Sequence, residues 1–192
     1  MLYELALKTL ENIDNDISLS FRNDFPHINQ LSVINLEASP LPVTSSIPKV
    51  GQTASTTDEI VLKIQKTYEN QAWRQPYQVN DFGYDFYNKS AWFPIADVNG
   101  PVIFSKGLIE IMLLDSGLAY PSHKHTPEEL YIVLAGKVWW EADGKTACWK
   151  HSGDIIHHPS NVIHSVKSAN NPVLILNLWR GGGFEMPVIT DK

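Results

Sequence analysis

From Pro76 onward the chain is a succession of short segments in which aromatic and β-branched residues alternate with polar ones, punctuated by the tight-turn pairs Asn99-Gly100 and Asp143-Gly144. Candidate strands fall near residues 83–88, 91–96, 107–115, 119–124, 129–134, 137–141, 146–150, 154–157, 162–167 and 173–180. So many short strands joined by short turns bury their apolar faces only against one another, in a sandwich or a closed barrel.

The preceding part has a different character. Residues 1–13 place Leu2, Leu5, Ala6 and Leu10 at near-helical spacing, which predicts a short amphipathic helix. Between Glu37 and Thr57, Pro40, Pro42, Pro48 and Gly51 predict an irregular connector wrapped on the surface. Thr56-Thr57-Asp58-Glu59 has the spacing of a capping box, and Ile60, Val61, Ile64 and Tyr68 follow on one stripe, predicting a second helix over 57–71. The division is therefore a helical extension and connector over 1–75 and a β-barrel domain over 76–192.

Composition narrows the function classes. A net charge of −6, a pI near 5.6 and the absence of a basic cluster argue against nucleic acid as a partner. No apolar run approaches the ~20 residues that span a bilayer, and Met1-Leu2-Tyr3-Glu4 lacks the basic start of a signal peptide, so the expectation is a cytoplasmic protein with no membrane partner. The single cysteine, Cys148, rules out an internal disulfide and reads as a packed strand residue.

The chemistry concentrates between Gly117 and Gly136. In an extended strand alternate side chains share a face, so His123 and His125 point one way, and after a short turn Glu129 and Tyr131 again share a face. His164 lies in a second polar segment that begins at Gly153-Asp154 and passes through Pro159. Two imidazoles and a carboxylate with an open position form the ligand set of catalytic zinc or non-haem iron. A lone histidine on a strand is more often structural, and His27 and His151 have no motif context. His157 and His158 alternate faces, so at most one looks inward; all four are read as structural or exposed. A phenol with a pKa of about 10 is a poor base at neutral pH unless a cation favours its phenolate, which makes Tyr131 a candidate base only beside a metal. Arg180 before Gly181-Gly182-Gly183 reads as a strand exit more than as a carboxylate anchor.

The pattern Gly117, His123, His125, Glu129, Gly136 meets every fixed position of the first cupin motif, G-x5-H-x-H-x3,4-E-x6-G. Gly153, Pro159 and His164 meet the second, in which Asn161 replaces a glycine and Ser168 an asparagine; Asn161 still tolerates a left-handed turn. The chain thus resembles the cupins. Within them it resembles the cupin-type dimethylsulfoniopropionate lyases, through Tyr120, Tyr131, the run Gly136-Lys137-Val138-Trp139-Trp140, and Gly153-Asp154-Ile155-Ile156-His157-His158-Pro159.

That resemblance implies an all-β cupin fold, a double-stranded β-helix or jelly-roll barrel, with an N-terminal helical extension. It implies one divalent transition-metal ion (zinc, iron or manganese) on His125, Glu129, His164 and Tyr131, with His123 lining the pocket; in ordinary cupins the histidine at that place is itself a ligand, and spacing does not decide between the two. The substrate implied is a small zwitterion, a sulfonium carboxylate, cleaved by β-elimination with Tyr131 as base and Tyr120 orienting the substrate or sharing the proton transfer. A sulfonium is recognised by aromatic faces and carboxylates. Of Trp139, Trp140, Trp149 and Trp179, the resemblance favours Trp179, and neighbours Trp139 and Trp140 face opposite ways. Two alternatives stay open: an iron-dependent cupin dioxygenase using the same ligands, and a non-catalytic small-molecule-binding cupin. Exposed helix faces leave room for a homodimer.

Overall fold

The structure, a computed structural model, describes residues 1–190. Four α-helices lie in the first half: α1 (Leu2–Asn12), α2 (Asp16–Asn23), α3 (Asp58–Thr67) and α4 (Val79–Lys89). The strands are β1 (Ser32–Val33), β2 (Ser90–Asp97), β3 (Val102–Ile103), β4 (Gly107–Leu114), β5 (Ala119–Lys124), β6 (Glu128–Ala135), β7 (Lys137–Ala142), β8 (Cys148–His151), β9 (Ile155–His158), β10 (His164–Ser168), β11 (Val173–Arg180) and β12 (Val188–Ile189). They form two sheets, β1-β3-β2-β4-β11-β6-β9 and β12-β5-β10-β7-β8, whose inner faces pack together. This is the all-β barrel with an N-terminal helical extension that the motif resemblance implies.

The larger sheet is covered on both faces, and the period of two sorts its residues. On β6, Leu130, Ile132 and Leu134 turn outward, and on β11 Leu174, Leu176 and Leu178 do the same. They pack with Tyr3, Leu10, Phe21, Ile60 and Ile64 of the helical extension. Each fully buried aliphatic or aromatic side chain contributes about 1.5–3 kcal/mol, so the extension is an integral cover of the barrel wall. The alternate residues, Tyr131 and Val133 on β6 and Ile175 on β11, face the barrel interior with Val138, Trp140 and Val166 of the second sheet. Arg180 fastens the extension at the rim. Its guanidinium reaches Glu128 and Asp24 at 2.8 Å each and lies 4.0 Å over the Phe21 ring, so it is tied to helix α2 and its neighbourhood.

Several local expectations change. Residues 83–88, predicted as a strand, lie in α4, interrupted at Gly83 (φ 83°). Phe82 and Phe86 satisfy alternation and an i,i+4 stripe equally, and their packing on Tyr77 and Tyr120 selects the helix. The capping box expected from Thr56 and Glu59 does not form: the N-cap of α3 is Thr57, whose N3 position is Ile60 and whose hydroxyl makes no cap hydrogen bond but donates to Leu134 O at 2.8 Å and pins α3 to β6. The connector contains a 3-10 helix over Pro42–Lys49, and α2 carries a cap the periodicity reading passed over: Asn15 Oδ1 accepts from Ile17 N at 2.9 Å. Asn161 takes φ 62°, the left-handed turn its substitution for glycine leaves open. Gly136 takes φ 85° where a Cβ atom would meet Pro172 O at 3.2 Å, so that position in the first motif needs glycine.

Candidate metal centre

Strand pairing assembles the cluster. In the larger sheet Trp179 of β11 stands opposite Glu129 of β6, and Glu129 stands opposite His158 of β9. In the smaller sheet His164 of β10 pairs with His123 of β5, followed by a register shift before Val166. Paired residues share a face, so both rows point into the barrel, where His123, His125, Glu129, His158 and His164 are all buried.

Hydrogen bonds fix the tautomers. His125 Nδ1 faces Pro127 O at 2.9 Å, His164 Nδ1 faces Val162 O at 2.9 Å and His123 Nδ1 faces Pro121 O at 2.7 Å. A carbonyl only accepts, so in each neutral ring the proton sits on Nδ1 and Nε2 is a bare lone pair. His125 Nε2 and His164 Nε2 lie 3.3 and 3.1 Å from Glu129 Oε2, and neither has a hydrogen-bond partner. Lone pairs aimed at a carboxylate oxygen repel it unless positive charge stands among them. Protonating His125 answers this for one ring: burial lowers its pKa, but Glu129 outweighs burial and raises it. A divalent cation answers it for both rings at once, and the donor set of two imidazoles and one carboxylate fits such an ion.

The ligating atoms of His123, His125 and His164 lie within 4.8 Å of one another, as do those of Glu129, His158 and His164. His158 is nevertheless no ligand. Trp140 Nε1 donates to His158 Nε2 at 2.9 Å, and an indole N–H only donates, so His158 carries its proton on Nδ1 and gives it to Glu129 Oε2 at 2.7 Å. Both ring nitrogens are committed. Burial pushes the His158 pKa down to about 4 and keeps the ring neutral. His158 also stacks on His164 at 3.7 Å, and Trp179 Nε1 donates to the other Glu129 oxygen at 2.5 Å while its ring lies 4.4 Å from that of His125. Glu129 is thereby oriented from both sides. Burial opposes its charge, but the surrounding imidazoles hold the carboxyl well below its ordinary range.

Of the seven residues expected to form the site, all are at this cluster or its cavity. Tyr131 is buried with its ring edge-on to His158 at 5.2 Å and to His164 at 6.3 Å. Burial, then the Glu129 charge, push its phenol well above 10. Tyr120 is buried, stacks on His123 at 4.0 Å and hydrogen-bonds the hydroxyl of Tyr77. Burial lowers the His123 pKa to about 3. Trp140 faces inward, whereas Trp139 packs outside on Trp149. Sequence reasoning missed three participants. His158 was read as structural or exposed, although the alternation rule already allowed one of His157 and His158 to look inward. Tyr77 lies outside both motifs. Glu110 interrupts an apolar run, which was the available signal.

Glu129, Tyr120, Tyr131 and Trp179 line a cavity of about 250 Å³ together with Tyr77, Trp92, Glu110, Asn177 and the exposed residues Arg74, Phe184 and Met186. Its lining combines aromatic rings with several acidic and amide groups, a mixture of apolar wall and placed polar groups found in small-molecule sites. Among the described residues no helix is long and apolar enough to cross a membrane.

Comparisons with known proteins agree with this geometry. Residues 34–175, about three quarters of the chain, match the family model described as dimethylsulfoniopropionate lyase. The dimethylsulfoniopropionate lyase DddQ of Ruegeria pomeroyi is 32% identical over 118 residues, 62% of this chain and 59% of that protein. The sequence match thus spans about three fifths of that curated relative's length. A solved structure described under the DMSP lyases RdDddP and RnDddQII superposes with a TM-score of 0.87 at 25% identity, covering 99% of this chain and 96% of the other. The crystal structure of DddQ from Ruegeria pomeroyi DSS-3 superposes with a TM-score of 0.79 at 24% identity, covering 95% and 96%.

Proposed function

This chain belongs to the dimethylsulfoniopropionate lyase family, and from that premise we propose that it cleaves dimethylsulfoniopropionate by β-elimination to dimethyl sulfide and acrylate. The observation that carries the reading is the convergence of two unpartnered imidazole nitrogens on one carboxylate, Glu129, which lines a cavity together with the buried phenol of Tyr131.

His125, Glu129 and His164 would hold a divalent transition-metal ion (zinc, iron or manganese), with Tyr131 available as a fourth protein group and His123 beside them. When bound, the ion supplies a Lewis acid that withdraws charge from the substrate carboxylate and brings the Tyr131 phenol down into the range of a usable base. Tyr131 then takes the α-proton at its oxygen. The electron pair of that C–H bond becomes the Cα–Cβ double bond, the Cβ–S bond breaks, and its pair leaves on dimethyl sulfide. Oxidation states are balanced without an external oxidant. Tyr120, fixed by Tyr77 and His123, orients the carbon chain, and the Trp179 ring offers an aromatic face to the sulfonium.

Purified protein given dimethylsulfoniopropionate under anaerobic conditions is expected to release dimethyl sulfide into the headspace in one-to-one ratio with acrylate. Oxygen-dependent turnover would point instead to a cupin dioxygenase, and no turnover with bound metal to a binding protein. A second expectation concerns His158, a positioning residue for Glu129. His158→Ala should weaken metal retention roughly 10- to 100-fold in a chelator competition, the usual cost of losing such an orienting partner. Trp140→Phe, which frees the tautomer but keeps the ring, should cost less. Equal retention in His158→Ala and wild type would show that Glu129 needs no such support.

A further inference from the structure

Glu110 is a carboxyl group the elimination does not use. It sits on the inner face of β4, and its register places it in one row with the chemistry: Glu110 opposite Asn177 of β11, and Asn177 opposite Tyr131 of β6. Glu110 and Tyr131 therefore point into the same cavity from strands two places apart, a separation of about 10 Å at the backbone. Asn177, only 3% exposed, donates from Nδ2 to Glu110 Oε1 at 2.9 Å and fixes the carboxyl, while its own Oδ1 is buried without a hydrogen-bond partner.

Burial, opposed only in part by the Asn177 hydrogen bond, pushes the Glu110 carboxyl up to about 8, so near neutral pH it gains its full charge when a cation enters beside it. Among the described residues Glu110 has no ion-pair partner. Arg74, the cationic residue of the cavity lining, is committed to Asp97 Oδ2 at 3.1 Å and Asn99 O at 3.0 Å. The rings of Tyr77, Trp92 and Trp179 line the same cavity. A carboxylate framed by ring faces is the environment that a fixed cation without hydrogen-bond donors requires. A sulfonium is such a cation: proton loss cannot neutralise it, and it has no N–H to donate.

We propose that Glu110, held by Asn177, is the counter-anion that receives the sulfonium end of the substrate and sets selectivity for a cationic over a neutral leaving group. The inference rests on the lyase reading above for the identity of the cation. With the substrate carboxylate at the metal side, the two-carbon spacer and the sulfur bridge the span between the Tyr131 and Glu110 strands. A purely structural Glu110, buried only to satisfy Asn177, would be indifferent to charge in the cavity.

The test compares dimethylsulfoniopropionate with 4-methylpentanoate, the isosteric carboxylate that has a CH in place of the sulfonium sulfur and so lacks the positive charge. The proteins are wild type, Glu110→Gln and Glu110→Asp, each loaded with metal. Glu110→Gln keeps an oxygen for Asn177 and removes the charge. It is expected to raise the KM for dimethylsulfoniopropionate roughly tenfold or more, while the inhibition constant of 4-methylpentanoate stays within about twofold or tightens. Glu110→Asp, which keeps the charge at shorter reach, should fall between. Unchanged 4-methylpentanoate inhibition also reports an intact cavity, and if Glu110→Gln fails to fold, Glu110→Asp carries the comparison. Equal losses for both compounds, or none for either, would overturn the proposal while leaving the lyase reading intact. If wild type releases no dimethyl sulfide, calorimetric binding of the two compounds replaces kinetics. A preference for the cationic one that Glu110→Gln abolishes upholds Glu110 and sinks the lyase reading, and no preference in wild type sinks both.

Discussion

Tyr131→Phe is expected to lower dimethyl sulfide release by at least about 10³-fold, within the range that a positioned general base contributes, while metal content and fold stay as in the wild type. The ring is embedded among Val133, Val138, Ile156 and Trp140 and meets His158 edge-on, so a phenyl group at the same place preserves the packing. What is lost is one oxygen. Burial already makes ionisation of that oxygen unfavourable, and the charge of Glu129 adds to the burden, so its role as a base depends on positive charge supplied at the cluster. Removing the hydroxyl relieves that burden, and thermal stability of the variant should equal or slightly exceed that of the wild type. Headspace dimethyl sulfide, metal analysis and a melting curve on the same preparation check the three parts. Wild-type turnover in Tyr131→Phe would move the base elsewhere, with Tyr120, across the same cavity, the next candidate.

The barrel was legible because its signals are local. β5 and β11 fall at the predicted boundaries, and β4, β6, β7 and β9 within a residue or two, since period-two alternation and turn residues act over a few positions. The motif spacing likewise brought His123, His125, Glu129 and His164 together, because cross-strand pairing turns sequence parity into a shared face. What failed depended on partners distant in sequence. The aromatic run Phe82-Gly83-Tyr84-Asp85-Phe86 fits two periods, and only packing on Tyr77 and Tyr120 decides for α4. The role of His158 follows from Trp140, 18 positions away, which removes one of its two ring nitrogens from consideration as a ligand. Glu110 gains its meaning from Asn177, 67 positions away, and from a cavity that no single segment encodes.

The second large effect is expected from the imidazole ligands: His125→Ala and His164→Ala should each lose both turnover and metal, whereas Tyr131→Phe loses turnover alone. With Nδ1 of each ring held by a backbone carbonyl, Nε2 has no other role in the cluster, so truncation deletes a ligand without releasing a competing donor. Glu129 is left facing one lone pair where a cation would balance it from two sides. The two variants should nevertheless differ in what else they disturb. His164 stacks on His158 at 3.7 Å and stands edge-on to His123 at 4.2 Å, so its loss loosens the support of Glu129 as well; His125 packs chiefly on Trp179. His164→Ala should therefore melt below His125→Ala, although both lack metal. Chelation of the wild type gives the common reference: an ion present at about 1,000 times its Kd stabilises by roughly 4 kcal/mol. At about 2–4 °C per kcal/mol for a chain of this size, its removal should lower Tm by roughly 8–16 °C. Because the variants have no ion to lose, the chelator should leave their melting unchanged. A chelator-sensitive Tm in either variant, or stoichiometric metal after purification, would mean that the remaining residues suffice to hold the ion and that the truncated histidine is not among its ligands.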